Sequence, residues 1–118
     1  MILADFLPPH PDRRWDYARQ LGVSHAIVKM HPEVTGDAPP SDIDVLRRVQ
    51  KRFAEGGFIL AGLEGDPMPM DRIKLGLPGC EEDFESYRQI LRNMGELGIP
   101  LLCYNFMAKI VSTRSATT

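Results

Sequence analysis

Few side chains in this sequence are placed where they could do chemistry together. His31, Glu64 and Asn105 each stand at or just past the end of a short apolar run, where a strand would deliver them to the rim of a sheet. Asn105 carries two donors and an acceptor on one amide, which suits a hydroxyl-rich ligand; the alternative is an amide that satisfies backbone at a strand end. Glu64 opens a long loop, and His31 precedes a proline, so each reads either as a ligand contact or as a solvated loop residue. Lys74 lies in the glycine-containing loop IKLGLPG, from Ile73 to Gly79. A phosphate or carboxylate contact is open to it, and a solvated lysine is the preferred reading. Cys103 sits inside the apolar run LLCYNFM and reads as a small buried hydrophobe. Cys80 has no basic sequence neighbour to activate a thiolate.

These residues need elements to position them. Ile2 to Phe6 reads as a first strand and Leu7 to Pro11 as a proline-rich loop holding His10. Asp12 caps a helix running to about Gln20, with Trp15, Ala18 and Leu21 on its apolar side, and Gly22 ends it. His25 to Met30 is a second strand, followed by a loop from His31 to Pro40. Ser41 is the expected N-cap of the next helix, with Asp44 at the capping-box position. Ile43, Leu46, Val49 and Phe53 form its inward stripe, and Gly56 and Gly57 stop it. Phe58 to Leu63 is a third strand, and a loop runs from Glu64 to Gly79. Glu81 to Leu97 is an amphipathic helix with Phe84, Tyr87, Leu91 and Met94 on one face, and Gly98 stops it. Pro100 to Met107 is the last apolar run, with a fourth strand near residues 100–106.

Each helix therefore ends in glycine and leads straight into an apolar run: LGVSHAIV, GGFILAG, LGIPLLCY. A helix between successive strands forces parallel pairing through right-handed crossovers, and continuous apolar runs fit strands covered by helices. The order βαβαβαβ begins two folds. A (βα)₈ barrel needs about 250 residues, and a doubly wound open sheet usually carries a fifth strand. No G-x-G-x-x-G follows the first strand, so nothing favours a dinucleotide site.

The chain has 118 residues, 43% of them hydrophobic and 25% charged, as expected of one soluble domain. Its net charge of −2 argues against a nucleic-acid binder. Two cysteines make neither a disulfide framework nor a zinc ribbon. No apolar run reaches the ~18 residues that span a bilayer, and the N-terminus lacks the pattern of a signal peptide. A cytoplasmic protein is the expectation.

IKLGLPG, the helix segment YRQILRNM and LLCYNFM, in this order and at these separations, resemble the mannonate dehydratases. The resemblance extends more weakly from about Val23 to Arg114. It implies a barrel of the xylose-isomerase-like group, of which this chain would be the first half: a single partial-barrel domain over residues 1–118 with a polar tail at 108–118. It also implies dehydration of D-mannonate to 2-keto-3-deoxy-D-gluconate. That reaction removes a weakly acidic proton beside a carboxylate and expels hydroxide from the next carbon, helped by a base and a divalent metal, Mn²⁺ or Fe²⁺. The family's His, Cys and Asp metal ligands would lie beyond Thr118, so no catalytic residue and no bound metal are assigned to this chain alone.

Function in barrels collects at the C-terminal ends of strands. The resemblance therefore makes Asn105, Arg114, Glu64 and His31 the substrate-binding candidates. Glu64 matches a glutamate at the end of strand three, suited to a sugar hydroxyl or to orienting a ligand from the other half. Arg114 matches an arginine suited to a carboxylate fork; its alternative is a solvated arginine in a frayed tail. The chain departs from the family pattern at Ala4-Asp5-Phe6, where many members carry an Arg-Trp segment. Val111-Ser112-Thr113-Arg114 keeps only the last two residues of the family's Asp-Trp-Thr-Arg.

Three functions follow: a mannonate dehydratase or its N-terminal half, inactive alone; another metal-dependent sugar isomerase or epimerase of the same barrel group; and a non-catalytic half-barrel that binds a partner through its open sheet edge. The expected partners are a sugar acid and, through the edges, further copies of the chain, with neither nucleic acid nor membrane.

Overall fold

Glycine followed by an apolar run does build parallel strands here. The computed structural model describes residues 1–106. It shows strands β1 (Ala4–Phe6), β2 (His25–Val28), β3 (Ile59–Glu64) and β4 (Leu101–Cys103) in one sheet of order β1-β2-β3-β4, every pair parallel. Helices α1 (Arg13–Gln20), α3 (Ile43–Glu55) and α5 (Cys80–Leu97) make the crossovers. Two short helices, α2 (Pro32–Thr35) and α4 (Asp71–Leu75), occupy stretches expected to be loops. Strands β1, β2 and β4 are shorter than their apolar runs, and β3 begins and ends one residue later than expected. A register shift between Ala26 and Ile27 leaves Ala61 as the extra residue on β3.

The core lies on the helix side of the sheet. Trp15 of α1 stacks on Phe53 of α3 at 4.4 Å between centroids, and Phe58 meets Trp15 edge-on at 5.6 Å. The Trp15 indole N–H donates to the Pro8 carbonyl at 2.9 Å, so its one polar atom is satisfied. Gly56 lets α3 end against this ring: a Cβ there would lie 2.5 Å from Trp15 Cζ3. Gly62 serves β3 likewise, because a Cβ would lie 2.7 Å from the Leu101 carbonyl oxygen on β4.

Several expected placements are corrected. Asp42, not Ser41, caps α3, accepting from the Asp44 N–H at 3.0 Å. The buried Asn93 amide donates to the carbonyls of Pro40 and Ser41 at 2.9 and 3.0 Å and holds both residues ahead of the helix. On α3, Val45 is fully buried and Ile43 only half-buried. Leu21, just past α1, is exposed. On α5 the inward face carries Asp83, Tyr87, Ile90, Asn93 and Met94, while Phe84 and Leu91 are exposed. Cys103 is exposed rather than buried, because its neighbour Leu102 takes the core side of β4. The expected polar tail at 108–118 lies outside the described residues.

Candidate functional site

The C-terminal ends of β3 and β4 open into a cleft of about 190 Å³. Gly65, Asp66 and Pro67 enter it from the end of β3, and Tyr104, Asn105 and Phe106 from the end of β4. Met70 and Ile73, at and within α4, and Phe84 and Tyr87 of α5 form the rest of its wall. The two strand ends are joined directly, since the Gly65 N–H donates to the Cys103 carbonyl at 3.0 Å.

At the polar end of the cleft is a buried charge pair. The Lys74 ammonium, its side chain only 2% exposed, donates to both carboxylate oxygens of Asp66 at 3.0 and 2.8 Å. It also donates to Asn105 Oδ1 at 3.3 Å. The reading of Lys74 as a solvated residue is therefore corrected. The cause is tertiary: α4 turns the lysine under the two strand-end loops. Burial holds the Tyr87 phenol above its ordinary pKa, with the charges of Asp66 and Tyr104 acting in the same direction.

Helix α4 is anchored to α5 by a second pair. Arg72 donates through Nε and Nη2 to the two oxygens of Asp83 at 2.7 and 2.5 Å, a bidentate fork. The fork holds the Asp83 carboxyl below the usual carboxylate range. Gly79 permits it, because a Cβ there would run into the Arg72 guanidinium.

Of the four substrate-binding candidates, Asn105 is the one found lining this cleft among the described residues. Glu64 is the last residue of β3, exposed, and in register with Cys103. His31 caps α2, its Nδ1 accepting from the Glu33 N–H at 3.2 Å. Arg114 lies outside the described residues. Tyr104, which sequence places beside Asn105 at the end of strand four, lines the cleft as well, whereas Asp66 and Tyr87 were not singled out as site residues. No local pattern marks Asp66, which meets Lys74 across eight residues of loop and short helix. Among the described residues no three His, Cys, Asp or Glu side chains are grouped to hold a metal ion. No described helix is long and apolar enough to cross a membrane.

Four parallel strands with intervening helices and a cleft at their C-terminal ends are an α/β arrangement consistent with part of a (βα)₈ barrel. The profile of the D-mannonate dehydratase (UxuA) family matches residues 14–118, and the chain belongs to that family. It is 35% identical over 101 residues to a mannonate dehydratase of Geobacillus thermodenitrificans, covering 85% of this chain and 26% of the relative. It is 35% identical over 94 residues to one of Brachyspira hyodysenteriae, covering 80% and 26% respectively. The crystal structure of mannonate dehydratase from Streptococcus suis serotype 2 superposes with a TM-score of 0.68 at 25% identity, over 91% of this chain and 30% of that one. The chain thus spans about a quarter of the length of the curated relatives it matches.

Proposed function

We propose that this chain supplies substrate contacts to a mannonate dehydratase site and does not turn over alone. The observation that carries the reading is Asn105, held at the mouth of a strand-end cleft by a buried lysine in a chain of this family. Its amide suits the hydroxyls and carboxylate of a six-carbon sugar acid. The aromatic rings of Tyr87 and Tyr104 offer faces for the carbon chain. Glu64, the last residue of the adjoining strand, would receive a hydroxyl. His31 and Arg114 complete the proposed contacts, Arg114 as a fork for the carboxylate.

The metal expected of the family, Mn²⁺ or Fe²⁺, would polarise substrate oxygens when bound. The described residues do not fit it, since no three potential ligands come together among them, and no step is derived through it. The chain's own part is to bind and orient. The test is to incubate the purified chain with D-mannonate and Mn²⁺ and assay 2-keto-3-deoxygluconate. No product is expected; turnover by the chain, free of host enzyme, would overturn the reading. We further place the protein in the cytoplasm.

A second reading is favoured by the open side of the sheet, where Phe6, Ile59 and Leu101 are 48%, 62% and 44% exposed. That surface fits a partial barrel that associates with copies of itself through its sheet.

A further inference from the structure

The open face of the sheet changes character along its strands. Register puts Phe6, Ile27, Ile59, Gly62 and Leu101 on that face, all of them without charge. His25, at the N-terminal end of β2, is engaged by Ser24 Oγ at 2.7 Å. Opposite charges stand at the C-terminal end. Glu64 is the last residue of β3, and Lys29 follows Val28, the last residue of β2. Val28 and Leu63 are register partners, so Lys29 and Glu64 are the next residues along two neighbouring strands. Val28 and Met30 are both in the core, and alternation sends the lysine between them to the opposite side.

Lys29 is half-buried and Glu64 exposed. The lysine stem is packed: its Cγ, Cδ and Cε lie 3.7, 3.6 and 3.5 Å from where a Cβ on Gly65 would stand. Its ammonium, one bond further, is therefore beside the loop that leads from β3 into the cleft. Among the described residues neither the ammonium nor the Glu64 carboxylate has a hydrogen bond or an ion pair, with each other or with any other group. In a closed barrel this face lines the interior, and a charge enclosed there is unfavourable unless a partner meets it. A hydroxy acid meets both charges. Its carboxylate accepts from the ammonium, and its hydroxyl donates to the glutamate.

We propose that Lys29 and Glu64 form a hydroxy-acid subsite at the C-terminal end of the open face, Lys29 binding the carboxylate and Glu64 a neighbouring hydroxyl. The proposal rests on the reading of this chain as a source of sugar-acid contacts. It adds Lys29 to Arg114 as a cation for the carboxylate, and it adds a selectivity, for acids over the corresponding neutral polyols.

Nuclear magnetic resonance on the isotope-labelled chain tests it with D-mannonate, with the smaller hydroxy acid D-glycerate, and with D-mannitol as the uncharged control. Both acids should shift the Lys29 side-chain Cε signal saturably, and D-mannitol should bind about tenfold more weakly than D-mannonate. A Lys29 signal unmoved by either acid overturns the proposal whether or not any variant folds. Affinity for D-glycerate should fall about tenfold in Lys29→Met and about threefold in Glu64→Gln, and Lys29→Arg should keep most of it. The core backbone amides of Ala26 and Leu60 should stay in place in all three. Unchanged affinity in folded Lys29→Met overturns the proposal. If D-glycerate shifts Lys29 while D-mannonate leaves Tyr104 in the cleft unmoved, the subsite stands and the reading of the cleft as a sugar-acid site fails. If D-mannonate shifts Tyr104 while Lys29 stays silent, that reading stands and the subsite fails.

Discussion

Asn105 and Asn93 show what one amide does in two settings. Asn93 is 2% exposed and donates to two carbonyls that precede α3, so its task is structural. Replacing it with alanine would leave those carbonyls without their donor, and Asn93→Ala should cost about 1–3 kcal/mol in urea unfolding. Asn105 is half-buried at a cleft mouth, and Asn105→Ala should weaken D-mannonate binding by about tenfold with little change in the urea midpoint. Calorimetric titration checks the first quantity and denaturation the second. Gly62 is constrained by a neighbour's backbone, which cannot move aside as a side-chain tip would. Gly62→Ala should destabilise by about 1–3 kcal/mol, read as a lowered thermal midpoint. At this scale the sequence was partly legible. The Asp12 cap and the placing of Asn105 at a strand end follow from local pattern, and both stand in the structure. The burial of Lys74 does not, because it depends on partners eight and 31 residues away, Asp66 and Asn105. Cys103 misleads for a related reason. In an apolar run, which alternate residue faces the helices is set by register with β3.

Among the elements, α5 carries the most information about how the cleft is held. Its buried stripe includes Asp83 and Asn93, polar residues that break the apolar period, so the face read from Phe84 and Leu91 is rotated from the observed one. Asp83 is satisfied by Arg72 of α4, and Asn93 donates to the chain ahead of α3 while its Oδ1 accepts from Gln89 of α5 itself. The three crossover helices and their glycine stops were legible from periodicity, whereas the short helices α2 and α4 were not. The inward face was not, because those partners are tertiary. The Arg72 fork gives the protein an acid sensitivity of definite sign. Asp83 has a lower pKa folded than unfolded, so the folded state binds fewer protons. The stabilisation is complete above the unfolded carboxylate value of about 3.9 and is lost as pH falls below it toward the folded value. Asp12, Asp37 and Glu85 are lowered by arginine partners in the same direction. The urea midpoint should fall between pH 6 and pH 3, and less steeply in Arg72→Met. An equal slope in the two proteins would show that the fork does not contribute.

Among the described residues the sheet is covered by helices on one side. Helices bury Val28, Leu60 and Leu63, while Phe6, Ile59 and Leu101 on the strands are exposed. In a closed barrel such side chains would fill the interior, and no strand would be an edge. Here β1 and β4 end the sheet among the described residues, and unpaired strands recruit others. The isolated chain should therefore self-associate, and sedimentation across a wide concentration range should show a rising weight-average mass. A monomer persisting at the highest concentration would contradict this. The parallel order was legible at this scale because each crossover has its own helix. The choice of a barrel over an open sheet rested on resemblance, and the superposition on the Streptococcus suis enzyme carries it. The central claim is that the cleft between the ends of β3 and β4 receives a sugar acid, and titration of the labelled chain with D-mannonate tests it most directly. Saturable shifts are predicted at the Asn105 side-chain amide and at the backbone amides of Gly65 and Tyr104, with the core signals of Ala26 and Val28 unmoved. A folded chain whose Asn105, Gly65 and Tyr104 signals stay fixed at saturating D-mannonate would contradict the account.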